Sequence, residues 1–378
     1  MHILVAPNAF KNSLAAEDAA AAIEKGLQQS KLQCSVDCFP IGDGGDGTGK
    51  LIVQHCNGEI IRVEVNDPLK RKIISSFGLI ADGKTAVIEM ADASGLRLLK
   101  PTELNPLRTS SYGTGELMIH ALDKKVKRIV LCIGGSATVD GATGILQALG
   151  YQFLDKYGKE LTDLPESLTM LDRIDDSQVD NRISGTELNI LCDVENLLLG
   201  KEGAAPVFGP QKGASPGAVK KLELSLSALT NVILKQMGKD ISTLKHGGAA
   251  GGVAAGLAGL LNAQLVNGID NFLSLTGFEK KLATADLVIT GEGSIDIQTL
   301  QGKGPFGVAK KAKEKGIPVI GLAGKIPLEI PAELSTWFDV LLPINPELTN
   351  INDALKNTGI NLVRMGKTIG DMLSMNNG

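Results

Sequence analysis

Aromatic residues are scarce in this chain: one Trp, three Tyr and nine Phe, 3% of 378 residues. The 43% apolar content must therefore build its core from Ala, Val, Ile and Leu. Histidine is rare as well, four in all, and no Ser-His-Asp arrangement can be assembled from them. The five cysteines, Cys34, Cys38, Cys56, Cys132 and Cys192, are an odd set, several of them inside apolar runs. That pattern fits reduced thiols in the cytoplasm and no activated nucleophile. Cys34 and Cys38 have a spacing that could begin a zinc site, but no second pair completes it. Neither sign of charge dominates: 38 basic residues stand against 42 acidic, a net charge of −4. This gives no electrostatic footprint for nucleic acid and no basic run for an anionic membrane. The opening MHILVAPNAFK lacks the charged region and apolar length of a signal peptide. Residues 247–269 carry no charge and hold glycines at four-residue spacing, Gly248, Gly252 and Gly256. Their glycine density, with Asn262 and Gln264, predicts a buried turn and helix and not a membrane span.

Glycine is what the chain has in abundance, 45 residues. Most fall in loops after apolar runs, as expected where backbone must approach a ligand closely. Strands are expected at 2–6 and 35–41, each followed by a helix, which is the rhythm of a parallel sheet. Residues 60–65 alternate, and 73–90 read as a hairpin turning at Asp82-Gly83. Strand, glycine loop and helix return at 128–150. Further strands are expected at 188–192, 287–290, 317–323 and 339–344, and a single closing helix at 351–374. In that helix Ile351, Ala354, Leu355, Ile369, Met372 and Leu373 would form the core face. The fold class is α/β with two domains. Residues 1–72 and 283–378 would form a discontinuous Rossmann- or flavodoxin-like domain, with 73–282 inserted and 128–150 assignable to either.

Three phosphate-loop patterns compete. Gly78–Thr85 matches G-x4-G-K-[ST], but a strand follows where a helix is required, so it reads as a hairpin. Residues 42–47 match G-x-G-x-x-G in a respectable context, and carry an alternative reading as a nicotinamide-dependent oxidoreductase of small hydroxy acids. Asp43 and Asp46, however, would repel a pyrophosphate unless a cation intervened. Residues 302–307 match the same pattern too far from their strand for a dinucleotide, yet Lys303 at a helix start suits a phosphate. More telling is convergence. Asn8, Asp43, Gly134-Gly135-Ser136, Asp193 and Glu292 each follow an apolar run directly, so a parallel sheet would gather such residues along one edge. Carboxylates there, with Lys11, Lys212 and Lys303 in neighbouring loops, suit phosphoryl transfer. A non-catalytic two-lobed binding protein is a third reading.

The segments 6–16 (APNAFKNSLAA), 40–48 (PIGDGGDGT), 88–99 (IEMADASGLRLL), 110–118 (SSYGTGELM), 133–150, 192–214, 247–257 and 285–309 (ADLVITGEGSIDIQTLQGKGPFGVA) resemble the type 1 glycerate kinases, also called glycerate 2-kinases. They occur in that family's order along more than 300 residues. Asn8 stands where the family usually has an acid, and Asp46, Val139 and Ala142 where it has Glu, Asn and Gly. The resemblance implies an ATP- and Mg2+-dependent kinase that phosphorylates D-glycerate at the 2-hydroxyl, with two α/β domains flanking a cleft. A homo-oligomer stays open. On this reading Asp193 or Asp43 takes the hydroxyl proton, with Lys11 as a further catalytic candidate. Lys11, Ser13, Asp43, Gly44 and Gly45 would hold substrate. Gly134, Gly135, Ser136, Lys212 and Lys303 would contact the nucleotide, and Glu292 and Asp296 the magnesium. Ser13 has a plainer alternative as a helix N-cap, and Asp193 as a loop cap.

Overall fold

The computed structural model describes residues 1–345 and 350–375. Its strands are β1 (His2–Val5), β2 (Ser35–Cys38), β3 (Glu59–Asn66), β4 (Lys72–Ile80), β5 (Thr85–Glu89), β6 (Arg128–Cys132), β7 (Gln152–Leu154) and β8 (Arg173–Asp175). They continue with β9 (Glu187–Cys192), β10 (Gln264–Asn267), β11 (Leu287–Ser294), β12 (Val319–Lys325) and β13 (Val340–Pro343). The protein is α/β and forms two compact units, Met1–Asp43 with Gly268–Gly378, and Gly44–Asn267 inserted into it.

The first unit holds a five-stranded sheet in the order β13-β12-β11-β1-β2, parallel throughout. Counted within the unit, this is the flavodoxin-like order 2-1-3-4-5. Its central strands are apolar on both faces, as a sheet covered on both sides requires. Ile3, Val5, Leu287 and Ile289 pack with Ile23 and Leu27 of the helix Ala16–Gln28 and with Leu362 and Ile369 of the helix Thr358–Ser374. Those two helices meet through glycine: a Cβ at Gly26 would lie 2.2 Å from the Val363 carbonyl oxygen. Gly26→Ala should therefore force the pair apart and lower stability by about 1–3 kcal/mol, measurable by urea denaturation, although alanine is the better helix former. The closing segment is two helices and not one, Ile351–Lys356 and Thr358–Ser374, interrupted at Asn357. Ile351 and Met372, both expected in the core, are 74% and 60% exposed, while Ile369 is buried.

The second unit holds a six-stranded sheet in the order β10-β9-β6-β5-β4-β3. β10, β9, β6 and β5 are parallel; β4 and β3 add as antiparallel strands. Gly78–Thr85 lies in the hairpin from β4 to β5, where Ala81, Asp82 and Gly83 take positive φ, so it is no phosphate loop. β3 pairs with β4 along its whole length, and the helix Thr48–His55 packs on β4 and β5. Residues 44–72 thus belong with the inserted unit, and 268–282 with the outer one, a placement different from the expected changes at 72/73 and 282/283. β6 joins 128–150 to the inserted sheet. In the glycine-rich stretch Ala250, Gly251 and Gly252 take left-handed φ/ψ, and the helix that follows runs to Leu261, buried along most of its length, with Gly256 against the Gly141 carbonyl. Among the described residues no helix is long and apolar enough to cross a membrane.

Candidate functional site

In the flavodoxin-like order the sheet changes direction between β1 and β11, and ligands bind outside the carboxyl ends of strands at such a point. Three acids gather there. The segment after β2 stays on the sheet, its Ile41 N–H donating to the Pro7 carbonyl, and so delivers Asp43. The Asp43 Oδ2 accepts from Asn8 Nδ2 at 2.8 Å and from the Gly304 N–H at 3.2 Å. Gly304 opens the helix Gly304–Lys313, with Lys303 at its N-cap, so this carboxylate faces the positive end of a helix. Glu292, on β11, is 8% exposed and accepts from the Thr299 hydroxyl at 3.1 Å. Asp296 caps the short turn Ile297–Gln301, accepting from the Gln298 N–H at 2.9 Å. Burial, with the charges of Asp43 and Asp296 added, pushes the Glu292 carboxyl up to about 7 against the opposing pull of Lys303 and Thr299.

Lys11 lies exposed in the turn between Phe10 and Leu14. Ser13 does not cap the following helix, whose N-cap is Ala15. Its hydroxyl donates to the Leu355 carbonyl at 2.5 Å and lies 2.7 Å from the Thr358 hydroxyl. Its observed partners are thus on the C-terminal helices, which tie this loop down.

In the second unit the glycine segment continues from Gly44, where φ is +103° and a Cβ would lie 2.9 Å from the Leu191 carbonyl oxygen. The Gly44 N–H donates to the Thr48 hydroxyl at 3.1 Å, and its carbonyl accepts from the Gly134 N–H at 3.1 Å. A Cβ at Gly134 would lie 2.5 Å from Gly45 Cα, so the loop after β6 and the Gly44-Gly45 backbone touch through glycine. Gly135 is exposed and Ser136 buried. Lys212 is buried, and its amine donates at 2.7 Å to both the Ser136 hydroxyl and the Thr138 carbonyl. Burial pushes that amine down to about 7, partly offset by Asp140. Asp193 follows β9 directly and is exposed.

Glu89 and Arg97 are what the sequence reading missed. Glu89 ends β5 and is buried; its Oε1 accepts from the Gly49 N–H at 2.7 Å, and the Gly47 N–H also favours its charge. Burial holds its carboxyl up at about 6. Arg97 pairs with Asp46 at 3.0 Å and with Asp92. The start of the helix Thr48–His55 is therefore already filled by a carboxylate of this chain. A dinucleotide pyrophosphate would need those same N–H groups, and the oxidoreductase reading loses its site. The signal for Glu89 was available: it is another acid at the end of an apolar strand.

Among the described residues no group of three or more His, Cys, Asp or Glu is arranged to hold a metal unaided. Glu292 and Asp296, with the Asp43 charge nearby, suit a cation that brings further oxygens with it. Magnesium does so, taking one or two carboxylates and completing its shell from water and substrate phosphates.

An acid-lined, glycine-looped α/β protein of this kind has the parts of a small-molecule phosphotransferase. A profile of the Glycerate kinase family matches residues 3–374. A glycerate kinase of Halalkalibacterium halodurans is 42% identical over 99% of this chain and 98% of its own length. The glycerate 2-kinase of Escherichia coli is 38% identical over 99% and 98%. A solved structure from Salmonella typhimurium LT2, described as a candidate glycerate kinase 2, superposes with a TM-score of 0.84 at 41% identity, covering 100% of this chain and 99% of the other. The chain belongs to the glycerate kinase family and is a kinase enzyme.

Proposed function

We propose that this kinase transfers the γ-phosphoryl group of ATP to the 2-hydroxyl of D-glycerate, giving 2-phospho-D-glycerate and ADP, in the cytoplasm. The observation that carries the reading is the carboxylate cluster of Asp43, Glu292 and Asp296 beside Lys303. Glu292 and Asp296 would hold Mg2+, which neutralises phosphate charge when bound. Lys303, at a helix start, adds a cation for phosphate oxygens. Asp43 or Asp193 receives the proton of the attacking hydroxyl as its oxygen bonds to phosphorus and ADP departs. Lys11 and the backbone of Gly44-Gly45 orient the acid, and Gly134, Gly135 and Ser136 let a phosphate approach closely. The family membership at full length supports the substrate class. Incubation with ATP, Mg2+ and D-glycerate, followed by phosphorus NMR, is expected to show ADP and 2-phosphoglycerate. Absence of ADP would refute the reading, and 3-phosphoglycerate would correct its regiochemistry. Lys303→Met and Asp193→Asn should each lower kcat at least about 100-fold if they act as assigned; a kcat near wild type removes that residue from the reaction.

A further inference from the structure

We infer that Lys212 is a positioning residue: it fixes the Ser136–Thr138 turn after β6 and reaches the nucleotide only through Ser136. The inference rests on the reading of Gly134–Ser136 as a nucleotide-binding loop. A lysine is almost never fully buried unless its charge has fixed partners. Lys212, 3% exposed, has two at 2.7 Å, the Ser136 hydroxyl and the Thr138 carbonyl. Its own backbone is locked. The turn Pro210–Lys212 ends at Gly213, where φ is +92° and a Cβ would lie 2.4 Å from the Leu104 carbonyl oxygen.

The loop it grips is held from other sides as well. Ala137 N–H donates to the Ser94 carbonyl at 2.8 Å, and Gly135 accepts from the Leu96 N–H at 2.9 Å. The Thr109 hydroxyl donates to the Ala137 carbonyl at 2.8 Å. Those bonds fix backbone. Lys212 adds the hold on a side chain, the Ser136 hydroxyl, which can then donate its own hydrogen onward because the lysine occupies an oxygen lone pair. A lysine that met phosphate directly would act independently of Ser136; one that aims Ser136 would not.

The test is a double-mutant cycle with Lys212→Met and Ser136→Ala, reading both turnover and the affinity for MANT-ATP by fluorescence. Each single variant is expected to weaken MANT-ATP binding about tenfold, the loss of one buried hydrogen bond, with the KM for D-glycerate unchanged. The double variant should lose no more than the worse single. Losses that multiply would overturn the inference, and so would normal MANT-ATP binding by Lys212→Met. Should Lys212→Met fail to fold, Lys212→Gln, which keeps a donor, takes its place in the cycle. Absence of turnover with a non-multiplying binding cycle refutes the glycerate kinase activity and leaves this inference standing. No MANT-ATP binding by the wild-type chain overturns it.

Discussion

Asp140→Ala is expected to destabilise the protein by about 3–5 kcal/mol, the cost of stripping a buried, fully bonded charge from its partners. Asp140 is 1% exposed. Its Oδ2 accepts from the Ser111 N–H at 2.9 Å, the Ser111 hydroxyl at 2.7 Å and the Gly144 N–H at 3.3 Å, and its Oδ1 from the Ala142 N–H at 3.2 Å. These bonds join the start of the helix Tyr112–Asp123 to the start of the helix Thr143–Ala148. Burial raises the Asp140 carboxyl, and the four bonds pull it back. Removing the carboxylate leaves four donors without an acceptor in a dry interior and takes a countercharge from Lys212. Alanine also leaves Ala142 in its left-handed conformation, φ 68°, without the bond that holds it. In a thermal melt the loss corresponds to roughly 10 °C for a unit of this size. Asp140→Asn keeps one acceptor oxygen but turns an amide donor toward donors, so at least half of the effect should persist. A melting temperature within about 2 °C of wild type for Asp140→Ala would show that these bonds carry little net stability.

The parts of the site that were legible in sequence are those whose chemistry is local. An acid that follows an apolar run lies toward the carboxyl end of its strand, and Asp43, beyond β2, and Glu292, near the end of β11, do so in the same unit, close enough for one charge to act on the other. The hairpin at Asp82-Gly83 was legible for the same reason, since turn residues fix their own φ. What was not legible depends on partners far along the chain. Lys212 reads only as a loop lysine, and neither its burial nor its bond to a loop 76 residues away is legible. Ser13 reads as a cap until helices some 342 residues on take its hydroxyl. The dinucleotide pattern at 42–47 reads as open until Glu89 is found filling the N–H groups behind it. Periodicity likewise cannot register a one-residue break such as the one at Asn357. Substitutions relative to the resemblance fall on the same divide. Asn8, standing for an acid, is legible as a change of charge, but only the fold shows that its amide donates to Asp43.

Glu292 should make the protein less stable as pH rises from about 4.5 to about 7, and Mg-nucleotide should reverse that loss. In the cation-free protein its carboxyl titrates near 7, against an ordinary value of 4.5, because it is buried beside Asp43. Between those values the folded state binds a proton that the unfolded state has released. Stability therefore falls with rising pH across this window and is flat beyond it. A shift of that size corresponds to about 2–4 kcal/mol. Glu89, titrating near 6 through burial, adds a loss of the same sign, so the Glu292 share is read as wild type minus Glu292→Gln. Gln keeps an oxygen for the Thr299 hydroxyl and cannot ionise, so the variant should be more stable than wild type at about pH 8 and similar at about pH 5. Binding should run the opposite way. An ionised Glu292 between two other acids is what a divalent cation relieves. Mg-ADP should therefore raise the wild-type melting temperature more at about pH 8 than at about pH 6. The nucleotide's own protonation affects both proteins alike, so the excess belongs to Glu292 if Glu292→Gln lacks it. Equal pH dependence of Mg-ADP stabilisation in the two proteins would remove Glu292 from the cation site and leave it a buried acid bonded to Thr299.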